Sequence, residues 1–154
     1  MKLLKYSFLL IGIVSLTTMY AFRNPAKEDK TVIAAEKGIQ FIEQDWAKAL
    51  QLAKTENKLV FIDIYATWCG PCKMLKKNTF TDEKVAEFFN KNFVNISIDG
   101  EKTVGPNLAA KYGIQGYPTL IVTDADGRPL LTAVGYINAE QLMEFAKQAL
   151  SKKS

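Results

Sequence analysis

The chain of 154 residues has no histidine and only two cysteines, Cys69 and Cys72. Zinc prefers thiolate and imidazole ligands and usually takes four of them, so a site here would need carboxylates or a second chain. We therefore expect no metal and no organic cofactor. The net charge is only +4, and the charged residues are spread along the chain rather than clustered. This balance predicts no nucleic-acid partner.

The sequence also lacks a hydrophobic run that comfortably spans a bilayer. The uncharged stretch from Tyr6 to Phe22 falls a little short of the ~20 residues that a transmembrane helix needs. Lysines precede it, and its apolar centre at 8–16 has the length of a signal-peptide core. Ala21 could end a cleaved signal, although Met19 is large for a position that prefers a small side chain. We predict that residues 1–22 are a signal peptide or N-terminal membrane anchor, with the cleaved signal favoured.

Residues 23–36 are polar and charged and contain Pro25, which indicates a linker. The remaining stretch, 37–152, is long enough to bury one core, and we predict a single domain. We expect this domain to be a monomer.

The two cysteines lie in Trp68-Cys69-Gly70-Pro71-Cys72-Lys73, directly after an apolar run at 59–65 that fits a central strand. A helix that begins at Cys69 or Gly70 would place the first thiol at the positive end of the helix dipole. The pKa of that thiol should then fall below the ~8.5 of a free cysteine. We predict that Cys69 is the nucleophile and Cys72, one turn further on, the resolving thiol.

The spacer residues suit this chemistry. Pro71 presets the backbone of the first helical turn without losing a hydrogen bond, and Gly70 lets a substrate backbone approach closely. The alternative is a permanent structural disulfide, as envelope proteins often have. So short a bridge would stabilise little, because the stabilisation grows with the length of the closed loop.

Asp63 is the only charged residue in the apolar run at 59–65. Burial in a strand makes a carboxylate costly to ionise, so its pKa should rise towards neutrality. The alternative is a carboxyl that turns to a polar edge and is simply hydrogen-bonded. We favour a role in proton transfer, because acids with perturbed pKa values cluster at active sites.

Apolar periodicity and capping residues predict the other elements. They are a short strand at 38–42, a helix between Asp45 and Asn57, a helix from the cysteine motif to about Asn78, a helix capped by Thr81, an alternating strand at 93–99, a helix between Pro106 and Gly113, a hairpin of strands 119–123 and 130–134, and a last helix opened by Asn138 with Gln141.

Several of these residues together resemble the thioredoxin family. In chain order they are Asp63 as the buried acid, 68–73 as the active-site motif, Tyr117-Pro118-Thr119 as the cis-proline segment, and Gly135 as the late glycine. The resemblance covers about 38–150 and implies an α/β thioredoxin fold, with a mixed central β-sheet flanked by helices on both faces. It implies a cis bond before Pro118, with Tyr117 facing Cys69. The substrate-binding residues that it implies are Trp68, Gly70, Pro71, Tyr117, Pro118, Thr119 and Gly135.

The segments 45–58 and 78–85 are similar to exported thioredoxin-like proteins and to the C-terminal periplasmic domain of the transmembrane thiol:disulfide interchange reductase. This resemblance implies a protein-disulfide reductase of the bacterial cell envelope (periplasm), with disulfide-containing client proteins and a membrane or envelope electron donor. Two alternatives stay open: an oxidase or isomerase with the same residues, and a redox-inert, chaperone-like peptide-binding module. Many thioredoxins carry a strand lysine that pairs with the buried acid, but the matching position here is Asn95.

Overall fold

The computed structural model of the protein describes residues 37–153. The signal or anchor predicted at 1–22 and the linker predicted at 23–36 lie outside the described residues and stay predictions. Within 37–153, none of the helices combines the length and the hydropathy that crossing a membrane requires.

A five-stranded mixed sheet forms the centre of the fold. Its strands are β1 (Ile42–Glu43), β2 (Leu59–Tyr65), β3 (Phe93–Asp99), β4 (Thr119–Thr123) and β5 (Pro129–Val134). Their order across the sheet is β1-β3-β2-β4-β5, with β1 and β2 parallel to β3, and β4 antiparallel to both β2 and β5. The cysteine motif therefore follows the C-terminal end of the middle strand, where α/β sheets commonly place their sites.

Helices cover both faces of this sheet, as predicted. They are α1 (Trp46–Glu56), α2 (Gly70–Met74) followed by a π-helical turn (Leu75–Thr79), α3 (Glu83–Asn92), α4 (Gly105–Tyr112) and α5 (Ala139–Ser151). One core joins Phe61 of β2 to the π-helical turn, α3 and α5. The other joins Ile62 to α1 and α4. Because side chains alternate along a strand, Asp63 shares the face of Phe61.

Most of the predicted helix caps are present. The Asp45 carboxylate accepts from the Lys48 backbone N–H at 3.0 Å, and Asn57 ends α1 in the left-handed conformation. Asn138 and Gln141 form the reciprocal capping box of α5, with both hydrogen bonds at 2.9 Å. These caps satisfy backbone groups that the helix itself leaves unpaired, which is why they can be found in sequence.

Two predictions at element ends were wrong. The strand predicted at 38–42 is only Ile42–Glu43, because the Ile39 N–H donates to the Phe80 carbonyl at 2.8 Å instead of to a strand. Thr81 does not cap α3, because its hydroxyl donates back to the Lys77 carbonyl at 2.7 Å. Asp82 is the cap, and it accepts from the N–H groups of Lys84 and Val85 at 3.0 Å each.

The helix after the motif differs from expectation, whereas strand β3 has the predicted bounds, Phe93–Asp99. The regular α-helix ends at Met74, and the Phe80 N–H donates to the Leu75 carbonyl at 2.9 Å, which closes the π-helical turn. Strand β3 has no solvent-exposed face, since all seven of its residues are buried. Helices on both faces cover it, so its polar side chains Asn95, Ser97 and Asp99 must find partners inside the protein.

Candidate active site

The two cysteines form a disulfide at the start of α2, with an S–S distance of 2.06 Å. Cys69 is the N-cap of this helix, and its sulfur accepts from the Cys72 backbone N–H at 3.1 Å. Both residues are buried, with 2 % and 3 % of their surface exposed, so exposure does not distinguish them. Their positions at the helix terminus distinguish the two cysteines, because an N–H group and the helix dipole favour negative charge on Cys69.

Tyr117 is the aromatic side chain that connects the cis-proline segment to the cysteines. It packs against the buried cluster of Ala66, Cys69 and Cys72. The bond between Tyr117 and Pro118 is cis, as the resemblance implied. The distant segments 68–72 and 117–119 are thus brought together at one end of the sheet.

Trp68 lies beside this pair and is 68 % exposed, yet its position is defined by two contacts. Its indole N–H lies 3.1 Å from each carboxylate oxygen of Glu101. Its ring meets the Tyr117 ring edge to face, with 6.0 Å between the centroids. Sequence reasoning did not find Glu101, because it lies 33 residues away in a loop and no local pattern identifies it.

The predicted glycines face open space. A Cβ atom added to Gly70 or to Gly135 would meet no atom within 4 Å. Gly135 has φ +90°, and its N–H donates to the Pro118 carbonyl at 2.8 Å. The need for glycine at 135 is therefore one of backbone conformation, and not of close contact within the chain.

The described residues expose five large apolar side chains, of which Trp68, Met74, Val134 and Tyr136 lie in or beside the site segments. Val134 is the register partner of Thr119, and Tyr136 follows Gly135. Sequence reasoning missed Met74, Val134 and Tyr136. The available signal was the outward position of Met74 on a helix and of Val134 on an edge strand, with Tyr136 just after that strand, and this does not by itself indicate a binding surface.

Asp63 is buried as predicted, with 1 % of its surface exposed. Burial raises the pKa of this carboxyl from 3.8 to about 7, against the opposing effects of the Lys76 charge and the Ser97 hydrogen bond, while Glu43 adds a smaller increase. The Ser97 hydroxyl donates to Asp63 Oδ2 at 3.2 Å, and Asp63 Oδ1 has no hydrogen-bond partner among residues 37–153. The group can therefore both accept and release a proton near pH 7.

Residues that could hold a metal are not gathered in one place in the described part of the chain. Between 37 and 153, no three or more His, Cys, Asp or Glu side chains come close enough together to bind an ion. The chemistry that the two cysteines can perform with their own sulfurs is thiol–disulfide exchange.

A fold of this topology with a Cys-Gly-Pro-Cys pair at a helix N-terminus defines the class of thioredoxin-like thiol–disulfide oxidoreductases. A family model described as a thioredoxin-like domain matches residues 46–150. The chain belongs to this family, and the predicted fold and resemblance are confirmed.

Two relatives illustrate the similarity. The chain is 33 % identical over 96 residues to the thiol:disulfide interchange protein DsbD of Tatumella citrea, a match that covers 60 % of this chain and 17 % of DsbD. The chain thus corresponds to a small part of that longer protein. It is 37 % identical over 93 residues to a thioredoxin of Staphylococcus aureus, covering 60 % of this chain and 83 % of the thioredoxin.

Solved structures agree. A candidate disulphide-isomerase from Bacteroides thetaiotaomicron aligns with a TM-score of 0.68 and 41 % identity, over 77 % of this chain and 98 % of that one. The C-terminal domain of Neisseria meningitidis DsbD in its oxidised form aligns with a TM-score of 0.58 and 26 % identity, over 67 % of this chain and 90 % of that one.

Proposed function

We propose that this protein is a protein-disulfide reductase of the bacterial cell envelope that reduces disulfides of client proteins through Cys69 and Cys72. The observation that carries the proposal is the cysteine pair at the N-terminus of α2, in a fold that buries an acid with a pKa of about 7. The Gly-Pro spacer, which resembles that of reducing thioredoxins, and the similarity to part of DsbD support the reducing direction.

In this mechanism the Cys69 thiolate attacks one sulfur of a client disulfide and expels the other as a thiolate. The mixed disulfide then holds the client on Cys69. Asp63 accepts the proton of the Cys72 thiol, and the Cys72 thiolate attacks the Cys69 sulfur and expels the second client thiolate. Two electrons pass to the client, whose thiolates take up protons, and the protein is left with the Cys69–Cys72 disulfide.

The client would bind across the exposed surface around Cys69. An extended segment that crosses the open space above Gly70 and Gly135 can form main-chain hydrogen bonds with the backbone of Tyr117, the residue before the cis-proline. Trp68 and Tyr117 offer it aromatic contact, and Pro71 stiffens the helix start beneath it.

Location and electron supply complete the proposal. The segment 1–22 would export the chain, either as a cleaved signal or as a retained anchor, and the domain would act as a monomer. In an oxidising compartment the Cys69–Cys72 disulfide forms readily, so a membrane or envelope dithiol donor must reduce it again.

The test combines insulin-disulfide reduction by the purified full chain with a measured reduction potential. A reductase should reduce insulin catalytically. Its reduction potential should lie close to that of thioredoxin, about −270 mV, and far from that of a strong disulfide oxidant, about −120 mV. A potential close to the oxidant value would reject the reducing direction. Failure to reduce insulin would favour the redox-inert binding module.

A disulfide isomerase is the second candidate, because the structural neighbour from Bacteroides thetaiotaomicron carries that description and aligns over 98 % of its length. Scrambled ribonuclease distinguishes the two. An isomerase restores its activity at a catalytic amount of protein, whereas a reductase leaves the ribonuclease reduced.

A further inference from the structure

The buried acid has no cation on the strand beside it. Asp63 of β2 is the register partner of Ser97 in β3, while Asn95 is the partner of Phe61. The Asn95 amide is used elsewhere, since its nitrogen lies 3.3 Å from the Asn90 side-chain oxygen. A positive charge that acts on Asp63 must therefore come from another element.

Lys76 reaches the same face of β2 from the π-helical turn that follows the cysteine helix. Its Nζ lies 3.8 Å from the centroid of the Tyr65 ring. Tyr65 and Asp63 are two residues apart in β2 and point to the same face, about 7 Å from each other along the strand. The cation–π contact thus holds the ammonium group over the face of β2 that carries the acid, while Lys76 as a whole residue is exposed.

A cleft connects this region to solvent. It has a volume of about 180 Å³, and its lining includes Lys76, Ser97 and Glu43. Ser97 is the residue that donates its hydroxyl to Asp63. Since a water molecule occupies about 30 Å³, the cleft has room for several, and its wall includes the residue that is hydrogen-bonded to the acid.

We propose that Lys76 is the positioning cation of the site: it stabilises the Asp63 carboxylate through space, and the cleft beside it admits the proton that Asp63 exchanges during turnover. The role in turnover rests on the proposed thiol–disulfide exchange. The electrostatic pairing of Lys76 with Asp63 is independent of that proposed function.

Other charged groups also surround Asp63. Among the charged groups that shift the pKa of Asp63, Lys76 lowers it and Glu43 of β1 raises it. Lys37 also lines the cleft, and Asp99 of β3 is the register partner of Tyr65. The Lys76 charge is the largest of the effects that lower the pKa of Asp63, so removing it should raise that pKa although the Ser97 hydrogen bond remains.

The first measurement is the pKa of Asp63 by carbon-13 NMR titration of its carboxyl in the oxidised full chain, which needs no client. Lys76→Gln should raise that pKa by about one unit, as expected for losing a nearby opposite charge. Lys76→Arg keeps the charge and should restore the wild-type value. Lys77→Gln is the matched control, because Lys77 is the neighbouring exposed lysine, and it should shift the pKa much less.

The second measurement is the pH dependence of mixed-disulfide release in a single turnover. Its inflection near neutral pH should move upward in Lys76→Gln by the same amount as the NMR value. An unchanged Asp63 pKa in Lys76→Gln, or an equal shift in Lys77→Gln, would overturn the pairing. A shifted pKa with an unmoved rate profile would overturn the role in turnover, whereas absence of any exchange with client would reject the proposed function instead.

Discussion

The Ser97 hydroxyl donates to one carboxylate oxygen of Asp63 across the β2–β3 pair at 3.2 Å, and the other oxygen has no partner in the part of the chain that the structure describes. One hydrogen bond does not compensate a buried carboxylate for the water it has lost. This imbalance explains why the Asp63 pKa stands at about 7. It also means that ionising Asp63 at higher pH destabilises the fold.

The first prediction concerns stability against pH. The Asp63 pKa is raised from 3.8 to about 7, so between these values the folded protein binds a proton that the unfolded chain has released. Stability therefore falls as pH rises through this window, by roughly 4 kcal/mol at ~1.4 kcal/mol per pKa unit. Asp63→Asn should remove most of this loss and be more stable than wild type at pH 8. Urea unfolding of wild type and Asp63→Asn at pH 4 and pH 8 measures this change in the free energy of unfolding.

The control for that experiment is Glu144→Gln, an exposed carboxyl on α5. This change should leave the wild-type pH dependence almost intact. Should Asp63→Asn lose stability between pH 4 and pH 8 as steeply as wild type, Asp63 does not ionise in the manner described.

The second prediction concerns the resolving step. Asp63→Asn cannot accept the Cys72 proton, so release of the client from the mixed disulfide should slow at pH 7 by about 100-fold, as expected for loss of a general base. The difference should shrink at high pH, where solvent can deprotonate the thiol. Rapid-quench kinetics between pH 5 and pH 9 test it, and a pH–rate profile like that of wild type would dismiss the proton transfer.

The third prediction assigns the two thiols. Cys69→Ser should abolish turnover, because serine cannot attack the client disulfide. Cys72→Ser should accumulate a mixed disulfide on Cys69, because no second thiol resolves it. Mass spectrometry of the trapped species identifies the cysteine that carries the client. If Cys69→Ser traps clients on Cys72 instead, the assigned roles are reversed.

The fourth prediction concerns the contact between Trp68 and Glu101. Glu101→Ala removes both acceptors of the indole N–H, so the ring should gain motion and the KM for a protein client should rise roughly threefold, equivalent to about 0.6 kcal/mol. Fluorescence anisotropy in a Trp46→Phe background reports the motion of Trp68 alone. Glu101→Gln keeps one acceptor, so its KM and its Trp68 motion should lie between those of wild type and those of Glu101→Ala. Unaltered anisotropy in Glu101→Ala would show that the contact does not order Trp68.

The fifth prediction separates two glycines. Gly70 begins α2 with open space around it, so Gly70→Ala should leave stability nearly unchanged while it hinders the approach of a client backbone to Cys69. Gly135 has φ +90°, where an alanine is strained by about 1–3 kcal/mol. Thermal unfolding of both variants should show the loss of stability in Gly135→Ala only, and insulin reduction should show the slower turnover of Gly70→Ala. A large loss of stability in Gly70→Ala would contradict this.

Local signals explain which elements could be predicted. The Asp45 cap, the Asn138–Gln141 capping box and the apolar run at 59–65 depend on residues close together in the chain. The residue at which β1 begins could not be found in this way, because the Ile39 N–H donates to the carbonyl of Phe80, far along the chain. The alternation in β3 predicted the strand at the right bounds, although the helices on both faces bury all seven of its residues.

The sequence alone determined the redox pair, the family and the buried acid, because each is encoded in short stretches whose chemistry depends on residue type and spacing. Only the tertiary structure decided what surrounds them. Glu101 meets Trp68, Tyr117 packs on the cysteines, and Lys76 lies over Tyr65 of the strand that carries Asp63. The physical reason is that hydrogen bonding and Coulomb interactions depend on distance in space, and residues from separate elements become neighbours only when the sheet and its helices pack together.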